Sequence, residues 1–299
     1  VFYNAYLPEI AKPENHDVIS ARGFAMGYIG SVILLIISLL FIEKPEWFGI
    51  PADTFPARLS FLLTGIWWIG FSIIPLYYLP NYEYNGDGSR SYLTKGYLEL
   101  RKVWFELQKQ WSLKTFLLSF FFYIMATQTV MFMAASFAEK EIQITTSGLI
   151  MTILIIQLVG IFGAFLFARL SKLFGNFKAL IIAVIFWIII CTFCLFIHTA
   201  MEFYIIAFCV GLVMGGIQAL SRSTYSKMLP ETKDHASYFS FYDVSEKLAM
   251  VGGLFLFGFL GQITGSMRNS IFSLNVAFGI GLIFMIVLSK KDKILAKNV

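Results

Sequence analysis

Charge is scarce in this chain. Only 14% of its 299 residues are Asp, Glu, Lys or Arg, whereas 58% are hydrophobic. A soluble domain needs a hydrated surface, and so few charged residues cannot supply one around so much apolar material. The composition therefore excludes a water-soluble protein and indicates one that lies in a membrane.

Residues suited to metal or redox chemistry are also few, with three Cys and three His. Cys191 and Cys194 have C-x-x-C spacing, but both fall in a run rich in Ile and Phe, where cysteine serves as a small apolar residue. His16, His198 and His235 are scattered, with no carboxylate or cysteine at ligand spacing. We expect no metal site and no cofactor.

Two functional classes lack their sequence signals. An enzyme acting at membrane depth needs a cluster of nucleophile, base or metal ligands, and the apolar runs contain none. Nucleic-acid binding needs a basic stripe interleaved with aromatic residues on a soluble face, and the net charge of +5 is not arranged in that way. The sequence thus predicts neither an enzyme nor a nucleic-acid partner.

Long hydrophobic runs are what the chain has in abundance. A helix needs about 20 predominantly apolar residues to cross a bilayer. Eight runs of about this length occur, at 24–42, 59–79, 115–137, 148–168, 179–198, 203–220, 244–263 and 270–289. Many are continuous rather than striped, as expected of helices surrounded by lipid and other helices. The sequence predicts an all-α, polytopic membrane protein whose surroundings are the lipid bilayer.

The basic residues are concentrated in every second gap between these runs. One set of gaps contains Arg90, Lys95, Arg101, Lys102, Lys109, Lys114, Arg169, Lys172, Lys178, Arg222, Lys227, Lys233 and the lysines of 290–297. The alternate gaps contain only Lys44, Arg58, Lys140 and Arg268. Because cytoplasmic loops carry an excess of Lys and Arg, the first set is predicted to face the cytoplasm, with both chain ends, in a plasma (inner) membrane.

One gap, 80–114, is long. It begins with a turn-forming cluster at 85–89. An apolar stripe follows at alternating spacings of four and three, formed by Leu93, Tyr97, Leu100, Trp104, Leu107 and Trp111. Lys and Glu residues lie off this stripe. The pattern predicts a basic amphipathic helix on the cytoplasmic membrane surface, with two spans before it and six after it.

Polar side chains recur inside several predicted spans. Tyr123 and Gln128 lie in the third, Gln157 in the fourth, and Gln218 in the sixth, with Arg222 on the same stripe just beyond. Each amide needs a partner in hydrocarbon, so it must face the bundle interior or a water-filled cavity. Contact between helices explains any one of them, but several on different helices favour a shared polar cavity.

The start of the seventh span carries Asp243, Glu246 and Lys247. Asp243 and Lys247 are four residues apart and can pair on one helical face. One interpretation makes them a gate or solute contact that faces the cavity. The other has Lys247 extending its amine to the cytoplasmic interface beside an ordinary ion pair. Both interpretations stay open on sequence alone.

The gap between the fourth and fifth spans is a tight basic turn that contains Arg169, Lys172, Gly175 and Lys178. With Gly163 upstream, it resembles the degenerate second copy of a cytoplasmic motif of the major facilitator superfamily, roughly G-x-L-a-D-R-x-G-R-[RK]. The acidic residue of the motif is absent. The resemblance implies that this turn holds helix ends together in one of two conformational states.

Other segments resemble a narrower branch of that superfamily, the relatives of vacuolar amino-acid effluxers. They read FYNAYLPE at 2–9, SARGFAMGYIG at 20–30 and GIQALSRS at 216–223. Phe241, Tyr242, Ser245 and Lys247 fit the same branch, whereas Glu246 stands where we expect a small residue.

The resemblance implies a major-facilitator-like bundle of twelve helices, of which we expect eight here. Residues 1–79 would be the last two helices of the first half, 80–114 the central loop, and 115–299 the second half and a tail. It also implies secondary active transport of small solutes, such as amino acids or drug-like compounds, by alternating access, with protons as candidate coupling ions. A non-transporting scaffold or receptor on the same fold is the alternative.

The predicted orientation can be tested with an amine-reactive reagent that cannot cross lipid. Applied from outside the cell, it should modify Lys140 and spare Lys102, because only the first lies in a gap assigned to the outside. Peptide mapping of the modified protein gives the readout. Modification of Lys102 with Lys140 spared would reverse the assigned topology.

Overall fold

The computed structural model describes residues 2–51, 54–79, 92–232 and 234–297. Within these ranges the regular elements are short 3-10 turns at Pro13–Asn15 and Pro45–Phe48 and the helices α1 (Phe2–Ala5), α2 (Leu7–Ile10), α3 (His16–Glu43), α4 (Phe55–Tyr78), α5 (Tyr92–Lys109), α6 (Trp111–Glu141), α7 (Thr146–Phe174), α8 (Asn176–Phe193), α9 (Ala200–Met228), α10 (His235–Thr264) and α11 (Met267–Lys297).

Eight helices of the described ranges, α3, α4 and α6 to α11, are long and apolar enough to cross a bilayer. They coincide with the eight predicted runs, so the predicted all-α polytopic bundle is confirmed. Several helices extend past the runs: α3 begins at His16 rather than at residue 24, and α9 continues to Met228 rather than ending at 220. The added turns are more polar, and many of their side chains bond to neighbouring helices, which a hydropathy pattern does not reveal.

Helix α8, by contrast, is shorter than predicted. It ends at Phe193, although its apolar run continues to residue 198. Arg268, in the first turn of α11, accounts for this early end. Its guanidinium donates to three carbonyls just beyond α8, at 2.6 to 3.3 Å, and to Glu141 Oε2 at 2.9 Å. Arginine here satisfies carbonyls that have no partner within the helix. The same contacts tie the ends of α6, α8 and α11 together.

The buried core is formed mainly by α6 and α8 to α11, whose largest buried side chains include Trp187, Tyr225 and Phe278. Helix α3 packs on the outside of this group, against α7 and α9. Helix α4 packs against α3, and none of its apolar window is buried in the described part of the chain. The interface between α3 and the six later helices therefore positions the site described below.

Helices α7 and α9 cross at a distance that only glycine permits. A Cβ on Gly163 would overlap the backbone carbonyl of Leu212, and one on Gly215 would overlap that of Gly160. Small residues allow such close backbone approach in membranes, where helix association depends on packing and hydrogen bonds. The crossing fixes the position of α9 along α7, and with it the positions of the polar side chains of α9.

The predicted amphipathic helix is present as α5, although the turn cluster at 85–89 and the side chain of Leu93 lie outside the described residues. Its deeply buried side chains are Val103 and Leu107, and α5 packs on α6 and α10. Trp104 remains 50% exposed. Trp111 belongs to α6, so the predicted stripe is divided between two helices. Because Val103 was not part of that stripe, the buried face is rotated relative to the prediction.

Replacing Gly163 with alanine should lower the stability of the bundle by about 1–3 kcal/mol, the usual cost of overpacking. Gly258→Ala is the matched control, because a Cβ there meets no heavy atom within 4 Å. Alanine is the better helix former, so the control should be neutral or stabilising by about 0.5–1 kcal/mol. Thermal unfolding of both variants in detergent makes the comparison. Equal effects would contradict the close crossing of α7 and α9.

Candidate functional site

A cavity of about 480 Å³ lies where α1 and α3 face the later helices. Its walls come from α1, α3, α6, α7, α9 and α10. The lining residues are Tyr3, Asn4, Gly23, Phe24, Gly27, Tyr28, Ser31, Ile124, Gln157, Met214, Gln218, Arg222, Tyr242 and Glu246. The lining combines one cation, one carboxylate, several amides and hydroxyls, and a few apolar groups. A cavity of this size and mixture is typical of a small-molecule site.

Arg222 of α9 reaches across this cavity and is only 5% exposed. Its Nε donates to Ser20 Oγ at 2.9 Å, Nη2 to the Ser20 carbonyl at 2.9 Å, and Nη1 to Asn4 Oδ1 at 3.1 Å. The guanidinium carbon lies 4.6 Å from the ring centroid of Phe24 and 5.2 Å from that of Tyr3. In the described residues its hydrogen-bond partners are all neutral, so its positive charge can attract an anionic group in the cavity.

Glu246 of α10 supplies the opposite charge to the same cavity. Gln128 Nε2 donates to Glu246 Oε1 at 2.6 Å and holds the carboxylate in place. Lys247 and Asp243 are both within coulombic range of it. One cavity thus contains a guanidinium and a carboxylate on different helices.

The other predicted cavity residues take several positions. Gln157 and Gln218 line the cavity, and Gln218 Oε1 accepts a hydrogen bond from Tyr28 at 2.8 Å. Gln128 is not among the lining residues, but it bonds to Glu246, which is. Tyr123 is fully buried behind the wall, with its hydroxyl 2.7 Å from Ser221 Oγ.

Asp243 and Lys247 do not line the cavity. Asp243 is half-buried and accepts a hydrogen bond from Asn4 Nδ2 at 3.4 Å, so it contacts one of the residues that hold Arg222. Lys247 is exposed, one residue after Glu246. Of the charged cluster at the start of α10, the side chain that lines the cavity is therefore that of Glu246, which stands where the family pattern has a small residue.

Sequence reasoning missed the contribution of α3. Ser20, Gly23, Gly27 and Ser31 follow one another at spacings of three and four, so they share a face of the helix. Three of them line the cavity, and Ser20 bonds to Arg222. A stripe of small and polar residues on an otherwise apolar helix was a readable signal for this wall.

A second polar cluster closes the end of the bundle at which α3 begins. We define the Asp17 cluster as Asp17, Ser171, Asn176, Thr224 and Lys227. The Asp17 carboxylate accepts from Ser171 Oγ at 2.7 Å, Asn176 Nδ2 at 2.8 Å and Lys227 Nζ at 2.7 Å. Asn176 also bonds to Thr224 and to Lys227. These contacts join α3 to α7, α8 and α9.

The Asp17 cluster gives the basic turn an acidic partner that the turn itself lacks. Gly175 links α7 to α8 at a φ of 86°, a conformation that favours glycine. Arg169, Lys172 and Lys178 are exposed and make no hydrogen bond or ion pair in the described residues. Ser171 and Asn176, which carry no charge, make the contacts to Asp17. The Asp17 carboxylate, 154 residues before Ser171 in the sequence, is therefore the acidic group that this turn contacts.

Comparison with solved structures identifies the class of fold. The chain superimposes on the E. coli fucose:proton symporter FucP with a TM-score of 0.67 at 15% identity, covering 96% of this chain and 72% of that one. A bacterial homologue of the iron transporter ferroportin, in an outward-facing state, gives a TM-score of 0.59 at 10% identity, covering 95% and 66%. The fold is that of the major facilitator superfamily.

Sequence comparison identifies the family. A family model described as vacuole effluxer Atg22 like matches residues 1–297. An uncharacterized MFS-type transporter of Bacillus subtilis, YxiO, is 32% identical over 287 residues, which is 95% of this chain and 66% of that protein. Autophagy-related protein 22 of Yarrowia lipolytica is 25% identical over 324 residues, or 95% and 53%. The chain belongs to the Atg22-like effluxer family and is an integral multi-pass membrane protein rather than an enzyme.

The chain spans about half to two thirds of the length of these curated relatives.

In the described residues, no group of three or more His, Cys, Asp or Glu side chains is placed to hold a metal ion. The cavity presents a guanidinium, a carboxylate and several amides and hydroxyls, which can bind a solute by charge and hydrogen bonds.

A double-mutant cycle tests the Asp17 cluster. Asp17→Asn, Lys227→Met and the double variant should give a coupling free energy of about 1–3 kcal/mol, because each single change removes the charge partner of a buried or half-buried group. The exposed Glu99 and Lys102 pair, 3.9 Å apart, is the control and should couple by about 0–1 kcal/mol. Thermal unfolding in detergent provides the free energies. Equal coupling in the two cycles would contradict the conclusion that the Asp17 cluster holds α3 to the later helices.

Proposed function

We propose that the protein is a secondary active transporter that moves small zwitterionic solutes, amino acids above all, by alternating access. The observation that carries this proposal is the presence of Arg222 and Glu246 in one cavity of about 480 Å³. An amino acid has a carboxylate and an ammonium group on the same carbon, so it can match both charges. The family match and the fold support the transport step itself.

Each end of the solute has a suitable contact. The solute carboxylate would accept hydrogen bonds from the Arg222 guanidinium. The planar donors of an arginine fit a carboxylate better than the ammonium of a lysine does. The ammonium would approach Glu246, which Gln128 already orients. Gln157 and Gln218 supply neutral hydrogen-bonding groups between these two ends.

The Asp17 cluster and Arg222 support a two-state mechanism. Both attach α3 to α9, and both do so through polar bonds that can be exchanged for others. We assign the Asp17 end to the cytoplasm, because the exposed basic residues of the turn lie there. The described conformation is then closed toward the cytoplasm in a plasma (inner) membrane. Residues 1–79 and 115–299 would belong to the two halves that move about the cavity, with α5 between them.

A carboxylate solute gives Arg222 an alternative partner. When the guanidinium turns toward the solute, its bonds to Asn4 and Ser20 weaken, and α1 and α3 are released from α9. Solute binding would in this way promote the rearrangement that closes one side and opens the other.

Glu246 is the candidate group for proton coupling. It is the carboxylate that lines the cavity, with Asp243 and Lys247 as charged neighbours on the same helix. A carboxylate that is removed from bulk water can accept a proton at lower cost than it can remain charged and unpaired. Protonation would also remove its attraction for an ammonium group, which links proton binding to solute release.

Transport by the full-length protein in proteoliposomes tests the proposal. Arg222→Gln should weaken the apparent affinity for amino acids by about tenfold to a hundredfold, the equivalent of one charge-assisted contact. Arg222→Lys should recover part of the loss, because it restores charge without the planar fork. Glu246→Gln should abolish the pH dependence of uptake while leaving the cavity shape unchanged.

Exposed residues of α5 provide matched controls, since Arg101→Gln and Glu99→Gln make the same chemical changes outside the cavity. Both should transport at the rate of the unmodified protein. If the unmodified protein moves no amino acid down an imposed gradient, the transport proposal fails, and a non-transporting scaffold or receptor becomes the better description.

A further inference from the structure

Gly23 of α3 lies at the point where the Tyr3 side chain and the Arg222 guanidinium meet. A Cβ at position 23 would overlap the Tyr3 hydroxyl and would lie 3.0 Å from Arg222 Nη2. Gly27, one turn further along the same wall of the cavity, differs, because a Cβ there meets no heavy atom within 4 Å. The absence of a side chain at position 23 therefore makes room for the contact between Tyr3 and Arg222.

Tyr3 reaches this position from the short helix α1 without being packed into the core. It is 59% exposed, and its ring centroid lies 5.2 Å from the guanidinium carbon of Arg222. The face of an aromatic ring attracts a guanidinium, so this contact stabilises one position of the Arg222 side chain. Phe24, the neighbour of Gly23, supplies a second ring, with its centroid 4.6 Å from the same carbon.

We infer that Gly23 is a positioning residue of the binding cavity. The space beside its Cα lets Tyr3 lie against the Arg222 guanidinium and keep it in the cavity wall, where it can bind a solute carboxylate. The inference rests on the proposed function, in which Arg222 makes that contact with the solute.

The kind of atom that a larger residue would meet determines what the substitution should disturb. At Gly163 an added Cβ meets the backbone of Leu212, which can move only together with its helix. At Gly23 it meets the end of the Tyr3 side chain, which is exposed and can turn away. Alanine at position 23 should therefore displace Tyr3 and disturb Arg222, while the stability of the bundle stays close to that of the unmodified protein.

Chemical modification of Arg222 tests the inference without a transport measurement. Phenylglyoxal reacts with accessible guanidinium groups, and peptide mapping of the full-length protein in detergent gives a rate for each arginine. Gly23→Ala should raise the rate at Arg222 by about threefold or more, because the ring contact that covers the guanidinium is lost. Tyr3→Ala should do the same without an added methyl group. Gly27→Ala should leave the rate unchanged.

Uptake by the full-length protein in proteoliposomes then measures the effect on the proposed solute. The probe is an equimolar mixture of the standard L-amino acids, each measured by mass spectrometry. Gly23→Ala should raise KM by about threefold to tenfold and leave kcat within about twofold, because the substitution disturbs the solute contact of Arg222. Tyr3→Phe in the Gly23→Ala background should restore part of the affinity, because it removes the hydroxyl that the methyl group would overlap. Gly258→Ala, at an open position outside the cavity, should change neither constant.

The outcomes for the inference and for the proposed function can be told apart. An unchanged rate of Arg222 modification in Gly23→Ala and Tyr3→Ala, or an unchanged KM in Gly23→Ala, would overturn the inference. A loss of thermal stability in Gly23→Ala as large as that in Gly163→Ala would also overturn it, because the glycine would then serve helix packing. No uptake of any amino acid by the unmodified protein would overturn the proposed function, while the modification rates would still decide whether Gly23 positions Arg222.

Discussion

The structure depends on one constraint, which is that lipid offers no partner to a polar group. Every charged or amide side chain inside the bilayer must be satisfied by the protein or by water in a cavity. Arg222 meets this requirement by bonding to α1 and α3, and Lys227 meets it by bonding to Asp17. Polar groups that bond across the interface therefore contribute to the attachment of α3 to the later helices.

This form of attachment suits the alternating-access mechanism proposed above. Lipid tails are as apolar as leucine side chains, so an apolar interface in a membrane gains little from the hydrophobic effect. The tight contact of α7 with α9 is maintained by close packing at glycines, and it has little freedom to change. The contact of α3 with α9, by contrast, includes several hydrogen bonds and one ion pair, which a solute or water can replace. Rigid and exchangeable interfaces thus lie side by side on the same helix.

The sequence predicted the spans well, because eight apolar runs of bilayer length leave few alternatives. It also marked Gln157, Gln218 and Arg222 as candidates, since an amide or guanidinium on an apolar helix has to face inward, and all three line the cavity. Their role in transport stays a prediction. It could not identify the partner of the basic turn, because Asp17 lies on a different helix 154 residues before Ser171 and nothing local marks the pair. Sequence reasoning was limited in the same way for Glu246 and Lys247, although they are neighbours in the chain. Adjacent residues on a helix point about 100° apart, and the sequence does not reveal which of the two enters the cavity.

Arg268 has a consequence for the way this fold can be studied. It joins α6, the end of α8 and α11 at the face opposite the Asp17 cluster, using one side chain for four hydrogen bonds. That face of the six-helix group should keep its shape while the opposite face rearranges. An antibody fragment raised against it should recognise every stage of the proposed cycle equally, and could serve as a fixed marker for imaging.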